Sequence, residues 1–575
     1  MFRVLLSSCF RFGRAEACGR DTYRRARRAA LTLLASAWLL AGLTVPASAA
    51  CTSSPCTVNS EAELRDAINF ANANSGTFNT TIDIQSTVML TGDLPALKAA
   101  GLTINGNGNS IDGDGNRGLF AYSGSVRVEN LTIENATARG GNGANHGGGG
   151  AGLGGAIFVA DDASVTLANV IIDSNSAAGG NGGGGSSGGG GGAGGGGGGV
   201  GSEADGGARV VGGGDGGPGI VAGPDPFSGG DGSGGTGAGG ANGGGGGGYG
   251  GADGSVGGGG GGGVGGGDGA DPGDNGGNGG FGGGGGGAGA GSNGGVGGFG
   301  GGGGSGAGGG NVGEGVGGDG GFGGGGGGYG NSQGGVDHQT SGGFGGGDGA
   351  STQGGPGGGG AGMGGGIFVM QGGTLTVEGD LTIANNTISP GSAGGSDAGA
   401  GRSLGSGLFL QGTGTPGNVT FRPGAGATQT ISNLIADQTG SGGTGADAGS
   451  WGLTKEGAGT LALLLSANTY SGGTSMTAGT IVVGTSTSLG SAEVAFSGGT
   501  VVLGDGITVA NDFSLNDTGQ RAFSVLTGDS AEITGTIAGN PGLLKSGTGT
   551  LILSAANSYM GGTTVEGRYA QARRR

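Results

Sequence analysis

Asp112 and Asp114 in IDGDG, and Asp161 beside Asp162, are the acid clusters of this chain that could act on a glycosidic bond. Such hydrolysis takes two carboxyls about 5–10 Å apart, one as acid and the other as base or nucleophile. Lyase chemistry would instead need a basic residue beside bound calcium, and Arg117 or Arg127 near Asp112 and Asp114 is the best candidate. Both acid pairs sit in turns, where aspartate commonly serves the backbone. The histidines, His146 and His338, fall inside glycine loops. The sequence has no phosphate-binding loop, serine triad or zinc spacing, and matches to G-x-G-x-x-G inside polyglycine carry no information. Nor does the calcium-binding nonapeptide recur in tandem. The expectation is no catalytic residue, no metal and no cofactor, with a carbohydrate-active enzyme kept as an alternative.

The remaining chemistry is that of cysteine. Cys51 and Cys56 frame CTSSPC, and in an oxidising exterior they would pair. That exterior is implied by residues 1–50, where eight arginines precede the apolar run ALTLLASAWLLAGLTV (30–45) and Ala47-Ser48-Ala49. This is the pattern of a cleaved secretory signal, and its apolar run is shorter than the roughly 20 residues of a spanning helix. The whole chain carries −17; losing a leader with eight arginines and two acids leaves −23, the reverse of a nucleic-acid binder's footprint.

These residues must be held by something other than an ordinary globular core, because 176 of 575 residues are glycine and 11% are charged. Ser60 and Glu63 form a capping box ahead of an apolar stripe, Leu64, Ala67, Ile68 and Ala71, which predicts one helix. After it, segments 118–138, 154–178 and 364–387 share a glycine-led apolar strand, a polar turn and two alternating strands; 405–431 is a looser fourth copy. Three short strands per unit, repeated, predict a solenoid. Val126, Val128, Leu131 and Ile133 should stack under Val165, Leu167, Val170 and Ile172, and these under Leu375, Val377, Leu381 and Ile383. Asn135, Asn175 and Asn385 are placed at equivalent turns as a hydrogen-bonded ladder.

Glycine-rich sequence recurs at each junction, 139–155, 177–366 and 389–407, so the long glycine stretch reads as one overgrown loop. Closing ~190 rather than ~17 residues costs only about 2 kcal/mol more. Tyr249, Phe281, Phe299, Phe322, Tyr329 and Phe344 are set singly in it. Three readings are open: a disordered, solvated loop, which is favoured, a loop whose aromatics are adhesive stickers, and a bundle of extended glycine helices.

GLTKEGAGTLALLLSANTYSGGT (452–474) and GLLKSGTGTLILSAANSYMGGT (542–563) resemble the autotransporter-associated β-strand repeat. The matching residues are Lys455, Gly457, Gly459, Thr460, Leu461, Asn468, Tyr470, Gly472, Gly473 and Thr474, then Lys545, Gly547, Gly549, Thr550, Leu551, Asn557, Tyr559, Gly561, Gly562 and Thr563. They are read as structural, with Asn and Tyr closing a corner. Up to about residue 440 the chain resembles pectin-lyase-like β-helix passengers, which implies an all-β, right-handed parallel β-helix with an N-terminal helical cap. Polygalacturonase-like sites would also want Gly-His-Gly and Arg-Ile-Lys, and neither occurs.

The expected organisation is a signal peptide (1–50), a cap (51–75), a first β-helical part (76–180), the glycine insertion (181–360), a second β-helical part (361–440), the repeat solenoid (441–567) and a basic tail (568–575). The resemblance implies an exported surface or secreted passenger acting in adhesion on an unknown receptor or glycan, with an inert scaffold or spacer as the alternative. The translocating barrel of such proteins is not legible in the sequence, so truncation is expected, with an outer-membrane barrel only if the reading frame continues. As given, the chain would stay periplasmic with no self-encoded membrane anchor.

Overall fold

The computed structural model describes residues 51–184, 275–288, 291–307, 315–329, 339–352, 354–412, 414–464, 467–516 and 521–567. The leader, the stretch 185–274, His338 and the basic tail lie outside these residues.

The helix α1 spans Glu61–Ala73 and buries Leu64, Ala67, Ile68 and Ala71. The Ser60 hydroxyl accepts from the Glu63 N–H at 3.4 Å, and the Glu63 carboxylate accepts from the Asn59 N–H at 2.6 Å, one residue earlier than the usual capping box. α1 packs on the strands Cys56–Val58 and Thr80–Ile84, which pair in parallel. Cys51 and Cys56 are joined by a disulfide.

Every strand pairing that follows is parallel, coil upon coil. Val126, Val165, Leu375, Val419 and Leu453 lie in one register column, and Val128, Leu167, Val377 and Phe421 in the next. All of these are buried. In the first two expected units all three strands are fused, as Leu119–Glu134 and Ile157–Asp173, and in the third the second and third are, as Thr374–Ala384; each runs on through a bend. The bend residues are Asn130 (φ +51°), Asn169 (φ +55°) and Gly379 (φ +59°), types that tolerate the left-handed region. The recurring decapeptides 151–160 and 361–370 are vertical neighbours, with Ile157 on Ile367, Phe158 on Phe368 and Val159 on Val369.

Of the expected asparagine ladder Asn175 keeps its place, while the equivalent buried position lies one residue beyond Asn135 and Asn385. Asn175 bonds Asn386, which bonds Asn433, all at 3.0 Å and largely buried. Asn135 and Asn385 instead take positive φ and donate outside to Asp112 and Asp173.

The larger correction concerns the glycine insertion. In its described residues it is an ordered bundle of extended glycine helices, not a solvated loop. The N–H groups of Gly357 and Gly360 donate to Gly183 and Gly180, those of Gly358 and Ala361 to Gly326 and Gly323, and those of Gly359 and Gly362 to Gly399 and Arg402. One strand thus addresses three neighbours in rotation. That is the signature of a helix with three residues per turn and no internal hydrogen bonds. The close approach excludes side chains: a Cβ on Gly321 would lie 1.7 Å from the Gly298 carbonyl oxygen.

The bundle is pinned by its aromatics. Phe281, Phe299, Phe322 and Phe344 each precede a glycine of φ +76° to +85°, and Gly283, Gly301, Gly324 and Gly346 donate back across the turn, as a type II turn requires. The four rings stack 5.0 to 5.7 Å apart. They meet a second ladder, Phe158, Phe368 and Phe409, which rises from the outer face of the β-helix. Leu153, Met363, Met370 and Leu404 complete this apolar strip. Arg402 lies over Phe344 and Lys98 over Tyr122. Fixing glycine backbone is entropically costly, so the strip supplies what hydrogen bonds alone do not.

Candidate functional site

The acid clusters do not converge. The Asp112 carboxylate accepts the Asp114 N–H at 3.0 Å, closing its own turn, and stacks in register with Glu134 and Asp173 rather than with Asp161 or Asp162. Asp161 and Asp162 are exposed beside a register shift of the strand. Arg117 is buried, which lowers its pKa against the pull of Asp93, and its backbone N–H donates to Asp93. Arg127 is clamped between Glu378 (2.8 Å) and Glu129 (2.7 Å), and these bonds raise its pKa. His146 bonds the Gly355 carbonyl through Nδ1 at 2.9 Å. Among the described residues no group of three or more His, Cys, Asp or Glu could hold a metal ion.

The repeat residues form joints between coils. Lys455 stands in a core column between Phe421 and Met476. Its amine donates to the carbonyls of Glu456, Gly457 and Ala478 at 2.8 to 3.0 Å. Burial pushes it down to about 8. Lys545 donates likewise to Ser546 and Gly547, and burial lowers it too. Asn468 accepts from the Ile435 N–H and Asn557 from that of Ile537. The Tyr470 hydroxyl meets Thr474 at 2.6 Å, and Tyr559 meets Thr563 in the same way. Burial raises the Tyr470 pKa, so that phenol stays protonated.

Gly457 and Gly547 take φ near +70°. A Cβ on Gly459 or Gly549 would strike a carbonyl oxygen at 2.2 or 2.1 Å. Thr460 and Leu461 open the next strand, as Thr550 and Leu551 do. A Cβ on Gly472 or Gly561 would also meet neighbouring backbone, while Gly473 and Gly562 have positive φ. The copies are rotated by one strand: the column of Trp451–Lys455 runs on through Thr474–Met476, Val494–Phe496 and Phe513–Leu515 to Ile537–Gly539, whereas Leu543–Ser546 stacks through Arg521–Val525, Gly499–Leu503 and Thr480–Val483 on Thr460–Leu463. Matching residues of the two copies therefore occupy different sides of the solenoid.

Sequence reasoning missed the joint where the repeats begin. Asp437 is fully buried and accepts from the N–H groups of Gly440, Trp451 and Ser471 and from the Ser471 hydroxyl, at 2.6 to 2.8 Å. Trp451 donates its indole N–H to the Gln411 carbonyl at 3.1 Å. An acid outside any motif gave no signal.

The strip at Phe158 and Phe368 lies under the glycine bundle, whereas the strands around 126–129 turn part-exposed side chains outward. A register column there reads Thr81, Thr103, Arg127, Thr166, Thr376, Thr420, Thr454, Ser475.

Residues 453–483 and 543–567 match the passenger-associated-transport-repeat family. The chain carries the transport repeats of autotransporter passengers. It is also similar to the adhesin BmaC autotransporter of Brucella suis biovar 1 (strain 1330), at 32% identity over 165 residues. That match covers 26% of this chain and 4% of the relative's length. No solved structure matches. The repeats and the parallel solenoid together fit a β-helix passenger, and among the described residues no helix is long and apolar enough to cross a membrane.

Proposed function

We propose that this passenger is exported by its N-terminal leader, displayed at the cell surface and acts there in adhesion, without catalysis. The observation that carries the reading is the pair of transport repeats built into a continuous parallel solenoid. The described candidates for catalysis support it: Arg127 is engaged by two carboxylates, and Asp112 is occupied by its own turn. An adhesin among the relatives points the same way. The test is display of the full chain on a non-adherent bacterial host. Attachment to surfaces above that of an empty host is the expected result; surface display without any gain in attachment would leave a spacer. Incubation with pectin-like polymers and calcium should release no unsaturated uronide, and its release would overturn the non-enzymatic reading.

A further inference from the structure

We infer that the foot of the glycine layer binds a small inorganic anion on the guanidinium of Arg117, a site that goes beyond the adhesion reading and does not depend on it. Among the described residues the buried charged side chains are Arg117, Asp437, Lys455, Arg521 and Lys545. The fold meets most of them in one way, with main-chain hydrogen bonds. Asp437 accepts from the N–H groups of Gly440, Trp451 and Ser471, Lys455 and Lys545 donate to carbonyls, and Arg521 donates to the carbonyls of Phe496 and Asn516. Arg117 is the exception. Its side chain is 2% exposed, and Nε, Nη1 and Nη2 are all buried without a hydrogen-bond partner.

The stacking of the coils explains why the exception falls here. Leu119 pairs with Ile157 and Ile157 with Ile367, so Gly155 and Gly365 stand above Arg117. A Cβ on Gly155 would lie 2.2 Å from the Gly365 carbonyl oxygen, and one on Gly365 2.3 Å from that of Thr387, so this corner admits no side chain in the upper coils. Arg117 sits one coil lower, under the first glycine excursion. There the Thr137 N–H donates to the Asn116 carbonyl at 2.8 Å, and Thr137–Arg139 is the end strand of its three-stranded sheet. The backbone is anchored on both sides, the Arg117 N–H on the Asp93 carboxylate at 2.8 Å and the Gly118 N–H on the Gly155 carbonyl at 3.0 Å. Asp93 therefore spends an oxygen on main chain and its exposed carboxylate makes no bond to the guanidinium. A guanidinium does not shed its proton in a protein, so its burial must be answered by acceptors that carry charge. A small anion supplies both, and the fork of donors is shaped to hold one. Complete burial excludes a large organic ligand, and a chain of net charge −17 favours a monovalent ion over a polyanion.

The test is the urea midpoint of the full chain as sodium chloride replaces sodium gluconate at constant ionic strength, gluconate being too large for a buried site. The midpoint should rise with the logarithm of chloride concentration, as for an ion held only by the folded chain. Arg117→Met removes the buried charge: its midpoint in gluconate should be no lower than that of the native chain, and chloride should not raise it. Arg139→Met removes an exposed charge from the neighbouring strand and should keep the native response. Arg117→Lys keeps the charge with fewer donors and should need more chloride for the same rise, which leaves a second reading if Arg117→Met does not fold. A native midpoint indifferent to chloride would overturn the inference, as would a native-like response in both Arg117 variants, which would put the ion elsewhere.

Discussion

A lysine in a hydrophobic column survives only if its donors are spent, and Lys455 spends its three on main-chain carbonyls from two coils. Burial sets its pKa near 8, below the ordinary 10.5. The unfolded chain therefore binds more protons between these values, and stability must rise with pH across that window and be indifferent to this group below it. Relative to Lys455→Met, urea midpoints of the native protein should climb from pH 8 to pH 10; a fall would mean that the carbonyl cage holds the ammonium more strongly than burial opposes it. Asp437→Asn turns an amide toward donors and should cost about 1–3 kcal/mol, again read from urea midpoints. No loss there would show that the joint does not depend on the charge. Gly321→Ala drives a methyl into the Gly298 carbonyl and should cost roughly 1–3 kcal/mol, whereas Gly424→Ala meets open space and should be neutral.

At the scale of elements, the glycine bundle and the β-helix share one apolar strip. Deleting 181–360 should leave parallel β-structure but uncover Phe158, Phe368 and Phe409. Each stacked pair is worth about 0.5–1.5 kcal/mol beyond its burial, so the shortened chain should bind a hydrophobic dye and aggregate. A soluble, dye-silent deletion form would show that the strip needs no cover. Leu64→Asp with Ile68→Asp should likewise cause aggregation, by lifting α1 from the first coil's edge.

The coils themselves were legible because alternation of apolar residues reports directly which side faces in, as at Val165 and Leu167. The asparagine ladder was legible only to within one residue: Asn135, Asn175 and Asn385 align by letter, but the buried position belongs to the residue after the left-handed one. The bundle was not legible, because a three-residue period written in glycine has no side chains to mark it. Its one trace was the single phenylalanine before glycine, at Phe281, Phe299, Phe322 and Phe344. Lys455 and Lys545 could be found by repetition, but their burial could not.

On the scale of the whole molecule, the glycine bundle closes one side of the solenoid. The central claim is that the described part of the insertion is an ordered layer of the protein. Hydrogen exchange followed by mass spectrometry on the full chain tests it directly, because peptides covering 293–306 and 317–328 report amides that the bundle pairs, such as those of Gly295, Gly304, Gly325 and Gly327. Protection over minutes to hours, comparable to that of the strand Thr374–Ala384, is the expected result. Complete exchange of these peptides within seconds would contradict it.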